Sequence, residues 1–383
     1  MDNDMRAQHL LSEPTEADCK FTMDGGPGPE VVINGRRYLY FGGTGYFSFQ
    51  THPQIIQAAQ AGLADFGMCT ASSRSIFGTS PPLLQVEQKA CDFFGSKDAI
   101  YLPSGYLINV AGFQALVKLN RFDAVFVDEL AHWSITDFIY AVQKPVFTFA
   151  HGDAEDLDRK LKSNLQPGQR PLVASDGVFP TFGDIAPLPA YFDLVELYDG
   201  CIWMDDCHAV GVLGENGRGT CEHYGMRSDR VYFGGTLSKA VGAYGGIIPG
   251  PEEFVQTIRS GHIATGANPC VSAAAAAAVK GLELMMSLPD LRQQLWRNAR
   301  RLKSGLTTLG FSQDDTPVPV AAWGLRTSED MDRVHAALME RGIAIQRMHY
   351  VGARPKGLLR AVVFANHTTE QIDRMLNELR SLL

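Results

Sequence analysis

Long apolar runs are absent from the 383-residue sequence. The most apolar stretch, Val271–Val279, is mostly alanine and ends at Lys280, well short of the ~18 consecutive apolar residues that a membrane-spanning helix needs. The first 20 residues mix acidic and basic side chains and lack the apolar core of a signal peptide. We therefore expect no membrane-spanning segment and a cytoplasmic location.

Cysteine pairs with zinc-site spacing are also absent. The seven cysteines, an odd number, include no Cys-x-x-Cys motif and lie at positions 19, 69, 91, 201, 207, 221 and 270. This spacing argues against a disulfide framework or a structural zinc site and favours reduced thiols. A net charge of −8 gives no global attraction for nucleic acid or an anionic membrane.

Short apolar segments alternate with amphipathic ones over the first 285 residues, and helices are predicted over 53–66 and 107–119. Continuous apolar segments are typical of strands covered on both faces, so the pattern predicts an α/β fold with a mostly parallel sheet. The predicted strands are 99–102, 124–127, 171–174, 201–204, 230–233 and 247–249.

The pattern changes near residue 285. A long helix is predicted over 288–309, and its basic positions Arg297, Arg300, Arg301 and Lys303 are interpreted as a solvated face rather than a nucleic-acid site. Short strands near 318–322, 344–346 and 360–364 precede a last helix, which begins with the capping-box pattern Thr368-x-x-Gln371. We therefore predict an N-terminal segment (1–50), a large domain (51–285) and a small α+β domain (286–383).

Four polar motifs follow predicted strands, where ligands bind in α/β sheets. The first precedes a helix whose free N–H groups suit a phosphate. The last places a lysine among glycines and hydroxyls. In chain order the motifs are Pro103-Ser104-Gly105-Tyr106, His132, Asp205-Asp206-Cys207-His208 and Gly234-Gly235-Thr236-Leu237-Ser238-Lys239.

Each motif also has a simpler interpretation. A lone histidine such as His132 is often structural, and the Asp205–His208 cluster resembles a metal site, although no second cluster of that kind occurs. A carboxylate that ends a buried strand is costly unless it meets a cation, so Asp205 is expected to bind a positive group. Lys239 lacks the GxxxxGK[ST] spacing of a phosphate-binding loop and fits a Schiff-base lysine better.

Together the motifs meet the needs of one cofactor, pyridoxal 5'-phosphate (PLP). This cofactor needs a lysine for its imine, a carboxylate at its ring nitrogen, a flat group over the ring and donors for its phosphate. Lys239, Asp205 and His132 supply the first three. Gly105 and Tyr106, with Thr236, supply the donors.

In this order the motifs resemble the α-oxoamine synthase family of fold-type I PLP enzymes, from about Phe41 to the C-terminus. That resemblance implies an aspartate-aminotransferase-like fold and a homodimer with sites shared across a two-fold axis. The matching segments are His52-Pro53, Ser73-Arg74, Gly78-Thr79, Ser104-Gly105-Tyr106, Asn109, Ala131-His132, Gly183-Asp184, Pro187-Leu188, Asp205-Asp206, His208, Gly211, Gly214, Gly217-Arg218-Gly219 and Gly235-Thr236-Leu237-Ser238-Lys239.

The resemblance also implies a role for each matching residue near the cofactor ring. Lys239 forms the Schiff base and later moves the Cα proton. Asp205 pairs with the ring nitrogen, His132 stacks on the ring and positions the acyl carbonyl, and His208 hydrogen-bonds the ring 3-oxygen.

Further roles concern the phosphate and the substrate. Arg360 matches the arginine that binds the substrate carboxylate, for which its forked guanidinium is suited. By resemblance the cofactor phosphate is held by Ser104, Gly105, Tyr106 and Thr236, together with Thr265 of the neighbouring subunit.

The chain departs from the family at substrate positions. Pro180 replaces a serine that donates to the ring 3-oxygen, and Thr181-Phe182 replaces Met-Asp. Thr44 replaces an asparagine near the substrate, and Leu83 replaces a histidine. The run Cys69–Ser72 stands where the family is glycine-rich.

The leading hypothesis is decarboxylative condensation of an α-amino acid with an acyl thioester, carried on CoA or an acyl carrier protein, to an α-amino ketone. The altered substrate positions leave a PLP-dependent aminotransferase or decarboxylase as the alternative. A non-catalytic partner subunit is disfavoured, because such subunits lack the lysine that Lys239 matches.

Overall fold

A computed structural model describes residues 21–266, 268–353 and 356–383, which leaves Cys19 and the first 20 residues of the predicted N-terminal segment outside it. Over these residues, no helix combines the length and the apolar character needed to cross a bilayer. The six cysteines in this part of the chain are all free.

The strands and helices alternate along the first two thirds of the chain. The strands are β1 (Glu30–Ile33), β2 (Arg36–Tyr40), β3 (Asp98–Leu102), β4 (Ala124–Asp128), β5 (Val146–Phe149), β6 (Pro171–Asp176), β7 (Cys201–Asp205), β8 (Val231–Thr236), β9 (Gly246–Gly250), β10 (Val320–Trp323), β11 (Ile343–Ala344), β12 (Gln346–Met348) and β13 (Leu358–Val362). The helices are α1 (Pro53–Phe66), α2 (Pro81–Phe94), α3 (Leu107–Lys118), α4 (Trp133–Ile139), α5 (Ala154–Asn164), α6 (Leu188–Glu196), α7 (Thr220–His223), α8 (Glu252–Arg259), α9 (His262–Thr265), α10 (Ser272–Ser287), α11 (Pro289–Thr308), α12 (Ser328–Glu340) and α13 (Thr369–Arg380), with 3₁₀ turns at Phe49–Thr51 and Tyr140–Val142.

A seven-stranded sheet with the order β3-β9-β8-β7-β6-β4-β5 forms the centre of the fold. Strand β9 is antiparallel to both its neighbours, and the remaining neighbours are parallel. The predicted α/β fold with a mostly parallel sheet is therefore confirmed. Helices cover both faces, which is why the central strands β4, β6 and β7 are buried along their whole length.

The sequence pattern located all of these strands except β5. That strand is the edge of the sheet, and Val146, Phe147 and Thr148 are only partly buried or exposed. A half-exposed edge strand lacks the continuous apolar signature of a central one. The missed strand therefore has a physical explanation.

The N-terminal hairpin and the C-terminal region share a second sheet. Strand β2 pairs antiparallel with β1 and parallel with β11, which is far along the chain. The third sheet, β10-β13-β12, is antiparallel and packs against α11, α12 and α13 through a core that includes Leu302, Leu338 and Leu376. The proposed domain boundaries at residues 50 and 285 remain a prediction.

The expected basic face of α11 needs one correction. Arg297, Arg300 and Arg301 are exposed, but Lys303 is 4% exposed. Its ammonium group donates to Thr316 Oγ1 at 2.7 Å and forms an ion pair with Asp314. The prediction that Lys303 is solvated was therefore wrong, because this position faces the loop before β10 instead of water.

The capping box of α13 provides a test of local stability. The hydroxyl of Thr368 accepts from the Gln371 N–H at 3.3 Å, and the Gln371 side chain accepts from the Thr368 N–H at 3.0 Å. We expect Thr368→Ala to lower the free energy of unfolding by about 1 kcal/mol, measured by urea denaturation. Thr369→Ala, one residue further and outside the box, is the control; equal losses for both variants would contradict this account.

Candidate active site

Asp205 ends strand β7 with its side chain buried, at 2% exposure. Its Oδ2 accepts from Asn109 Nδ2 at 2.8 Å, and its Oδ1 accepts from the Cys207 N–H at 2.9 Å. Asn109 is itself fixed, since its Oδ1 accepts from Trp203 Nε1 at 2.6 Å. A buried carboxylate at the carboxyl end of a strand is thus oriented by donors from two elements.

Asp176 lies beside Asp205, because the register of β6 and β7 pairs these two residues. Burial and the neighbouring Asp205 raise the pKa of Asp176 well above its usual range. Its Oδ2 accepts from the His132 N–H at 2.7 Å. Sequence reasoning missed Asp176, although its signal is the same as that of Asp205: an acidic residue ends a buried strand.

Lys239 follows strand β8, and its charge affects the pKa values of several groups of the site. Burial lowers the pKa values of His132 and His208, and the positive charge of Lys239 adds to that change. Burial raises the pKa values of Asp176 and Cys207, and the charge of Lys239 opposes that rise. Its main-chain carbonyl accepts from the Gln50 side chain at 2.7 Å. The structure therefore brings the predicted lysine together with the carboxylates and both histidines.

His132 caps helix α4 with a defined ring orientation. Its Nδ1 accepts from the Ser134 N–H at 3.1 Å, and its Nε2 lies 2.7 Å from the phenol oxygen of Tyr350. Burial lowers the pKa of His132, and Asp205 opposes that change while Lys239 adds to it. The lowered pKa keeps the ring neutral at physiological pH, so the ring carries one proton. Because Nδ1 accepts from the Ser134 N–H, that proton is on Nε2.

His208 pairs with a tyrosine near the predicted substrate position Thr44. The phenol oxygen of Tyr46 lies 2.7 Å from His208 Nδ1, and both side chains are buried. Burial, Lys239 and Arg360 hold the pKa of His208 well below its usual range. Thr44 itself is half-buried two residues before Tyr46.

The predicted phosphate position lies where the loop after β3 meets the end of β8. A Cβ atom at Gly105 would lie 2.7 Å from both Cβ and Oγ1 of Thr236, so only glycine allows this approach. Ser104 Oγ accepts from the Tyr106 N–H at 3.0 Å, and Thr236 Oγ1 lies 2.8 Å from Ser238 Oγ. The phenol of Tyr106 points elsewhere and donates to Asp137.

Arg360 on β13 is 3% exposed and lacks an acidic partner. Its Nε donates to the Pro180 carbonyl at 3.0 Å, and its Nη1 donates to Gln346 Oε1. Across the three described stretches of the chain, no carboxylate pairs with its guanidinium. A buried cation of this kind suits an anionic substrate group.

Three residues highlighted by the sequence have other surroundings. The Thr265 hydroxyl donates to the Gly261 carbonyl at 2.9 Å, within its own short helix. Leu83 is fully buried in the core. Asp206 accepts from the N–H and the hydroxyl of Thr220, and burial raises its pKa to about 7. Of these three, Asp206 has a clear structural task, which is to anchor the loop before α7.

The described residues contain no group of three or more His, Cys, Asp or Glu side chains arranged to hold a metal ion. The residues that sequence reasoning missed are polar groups whose partners come from distant elements. Asn109 appeared only within a matching motif, Asp176 had the same strand-end signal as Asp205, and the others had no local signal. The missed residues are Tyr46, Asn109, Ser134, Asp176, Gln346 and Tyr350.

The side chains at this sheet edge fit PLP on structural grounds. A buried carboxylate suits the cationic ring nitrogen, a neutral imidazole offers a flat face, and the Gly105–Thr236 contact forms a narrow cradle at a helix start. Lys239 is close enough to affect the pKa values of His132 and His208. Fold and site together define a fold-type I PLP transferase.

Comparisons with known proteins agree with this class. The family described as aminotransferase class I and II matches residues 43–379. An 8-amino-7-oxononanoate synthase of Bacillus velezensis is 33% identical over 92% of this chain and 90% of its own length. A homologous synthase of Desulforudis audaxviator, named as putative, is 34% identical over 92% and 91%.

Solved structures give the same picture. Serine palmitoyltransferase from S. paucimobilis, bound to PLP–myriocin, superposes with a TM-score of 0.88 at 28% identity and covers 99% of this chain and 96% of its own. An 8-amino-7-oxononanoate synthase of Francisella tularensis, at 21% identity, has the same fold with a TM-score of 0.76 over 90% of this chain and 97% of its own. The chain belongs to the aminotransferase class I and II family and, within it, to the α-oxoamine synthases.

A further buried carboxylate, Asp128, anchors the loop that leads to His132. Its Oδ1 accepts from the Leu130 N–H at 2.9 Å and lies 3.1 Å from His151 Nδ1. The other ring nitrogen of His151 lies 3.4 Å from Asp184 Oδ2. Burial lowers the pKa of His151, but the two carboxylates outweigh it and raise the pKa to about 9.

The interaction of His151 with Asp128 and Asp184 makes the free energy of unfolding depend on pH. The pKa of His151 is higher in the folded chain than in the unfolded one, so its contribution is complete below about pH 6.5 and is lost as the pH rises through about 9. We expect the wild-type protein to lose about 1 to 3 kcal/mol more stability than His151→Gln between pH 6.5 and 10, in urea titrations. His223→Gln, at an exposed histidine, is the control; parallel pH curves for wild type and His151→Gln would refute the pairing.

Proposed function

We propose that this chain is a PLP-dependent acyltransferase that condenses an α-amino acid with an acyl thioester, carried on CoA or a carrier protein, and releases carbon dioxide, a thiol and an α-amino ketone. The observation that carries the proposal is the juxtaposition of Lys239, two buried carboxylates and two neutral histidines. The names of the relatives, 8-amino-7-oxononanoate synthase and serine palmitoyltransferase, support this reaction class.

Bound PLP supplies an electron sink for the negative charge that develops on the amino-acid Cα. Asp205 is the residue to hold the protonated ring nitrogen, and His208 is the donor to the ring 3-oxygen. His132 would cover the ring, and Ser104, Gly105, Tyr106 and Thr236 would hold the phosphate. Burial and the hydrogen bonds that orient each group support these assignments.

The chain's own residues then perform the proton and carboxylate chemistry. Lys239 removes the Cα proton, which it can do only once its amine is free and neutral. Arg360 orients the substrate carboxylate through its unused N–H groups. The bond from Cα to the acyl carbon forms as the thiol leaves. The bond to the carboxylate then breaks, and a proton returns to Cα.

We further propose a homodimer in which Thr265 reaches the phosphate of the neighbouring subunit. Two observations support the dimer. Helix α10 packs against α1 and α2. These helices and the loop after α1 expose apolar side chains, each at least 39% exposed. The Ser73 hydroxyl donates to the Thr265 carbonyl at 2.6 Å, which ties Thr265 to that loop. The exposed side chains are Ile56, Leu63, Phe66, Met68, Ile76, Phe77, Leu84 and Met286, together with Val271 immediately before α10.

We also propose a cytoplasmic location. Several of the free cysteines are buried thiols, among them Cys201 and Cys207. Free thiols are typical of a reducing compartment.

Replacement of the lysine tests the reaction. Lys239→Ala should abolish turnover by at least three orders of magnitude, because both the covalent attachment and the proton transfer depend on its amine. Wild-type enzyme should release thiol and carbon dioxide only when an amino acid and an acyl thioester are both present. Formation of a 2-oxo acid without thiol release would favour an aminotransferase instead.

The dimer is tested by placing a charge on the exposed apolar surface. Phe77 is 84% exposed, so Phe77→Glu should leave the fold intact but yield monomers in sedimentation experiments and weaken PLP binding. Leu197→Glu, at a 75% exposed leucine after α6, is the matched control and should remain dimeric. A Phe77→Glu protein that stays dimeric would contradict this interface.

A further inference from the structure

Tyr350 contacts the site although no motif pointed to it. It follows strand β12, whose antiparallel register with β13 places Gln346 opposite Arg360. The phenol oxygen lies 2.7 Å from His132 Nε2, and the ring packs edge-on against Trp133 with centroids 4.6 Å apart. Tyr350 therefore joins the carboxylate-binding strands to the histidine over the cofactor.

The segment around Tyr350 is held by residues at the family's altered positions. The Thr181 hydroxyl donates to the Val351 carbonyl at 2.5 Å. Gly352 adopts φ +78°, and a Cβ atom there would lie 3.0 Å from Leu130 and 3.2 Å from Phe182. The segment is consequently fitted against the loops that follow β4 and β6, and the phenol position is defined by packing.

The direction of the hydrogen bonds leaves one donor unused. Because the Ser134 N–H donates to Nδ1 of His132, the single ring proton of this neutral histidine is on Nε2. Nε2–H then donates to the phenol oxygen of Tyr350. The phenol keeps its own proton, and the described residues offer it no acceptor.

The charges around the Tyr350 phenol determine its protonation state. Burial, Asp176 and Asp205 raise the pKa of Tyr350, while Arg360 lowers it, so the phenol remains protonated and a donor. Arg360 is a buried cation that has no carboxylate partner among the described residues. Arg360 is close enough to the phenol to affect its pKa, so an anion bound to Arg360 is the candidate acceptor for the phenol proton.

We propose that Tyr350 is a substrate-binding residue: its phenol O–H, positioned by His132, donates to the α-carboxylate of the amino acid that Arg360 binds. This inference rests on the proposed function. It makes recognition of the free carboxylate a two-donor contact and explains why the phenol is fixed by the loops that follow β4 and β6. The consequence is discrimination against amines that lack a carboxylate.

Ligand titrations of the PLP-loaded enzyme test the assignment. Dissociation constants for glycine, L-alanine and L-serine are measured from the cofactor absorbance, beside those for methylamine, ethylamine and ethanolamine, which lack the carboxylate. Tyr350→Phe keeps the ring packing on Trp133 and removes only the hydroxyl. It should weaken binding of the preferred amino acid about 10- to 100-fold and leave amine binding unchanged.

Tyr224→Phe is the matched control, because that phenol also loses a hydrogen bond, to the Ala186 carbonyl at 3.1 Å, but lies outside the site. It should alter neither set of constants. Equal weakening of amino acids and amines by Tyr350→Phe, or no weakening at all, would overturn the inference while leaving the proposed function standing. An unchanged amino-acid constant with a raised KM for the thioester would also overturn it and assign the donor to the acyl carbonyl. A wild-type enzyme that binds no amino acid would overturn the proposed function and this inference together.

Discussion

The buried carboxylate of Asp205 is the interaction on which the site depends. A charge at the end of a fully buried strand is unfavourable unless donors and a cation compensate it. Asn109 and the Cys207 N–H supply donors, and Trp203 fixes Asn109 from within the core. The sheet register adds Asp176 beside it. Two buried acidic groups side by side repel each other, and a cationic ligand group between them and the nearby lysine would compensate their charge.

Burial determines the protonation states of the surrounding groups. Low pKa values keep His132 and His208 neutral, so each ring has one donor and one acceptor nitrogen. Neutral rings avoid repulsion of Lys239 and of a protonated ring nitrogen. A single physical cause, exclusion of water at the carboxyl ends of β6, β7 and β8, thus prepares several side chains for the same chemistry.

The altered family positions lie on the substrate side of this arrangement. Pro180 has no hydroxyl to donate, but its carbonyl accepts from Arg360 and fixes the guanidinium. Thr181 ties the Tyr350 segment to the same loop. The cofactor side retains its motif residues. Apart from the serine hydroxyl that is lost at Pro180, the departures therefore leave the cofactor motifs intact, and Pro180 and Thr181 lie beside the proposed amino-acid site.

Local sequence determined the central sheet, the capped last helix and the motifs at the strand ends, because apolar periodicity and strand-to-loop transitions are local signals. Lys239, Asp205, His132, His208 and Gly105 were identifiable in this way. Tertiary structure alone decided the partners of these residues: Asp176 beside Asp205, Tyr46 on His208, and Tyr350 on His132. Those contacts join residues from distant elements, and only the sheet order, the strand register and the packing of the C-terminal strands bring them within hydrogen-bond distance.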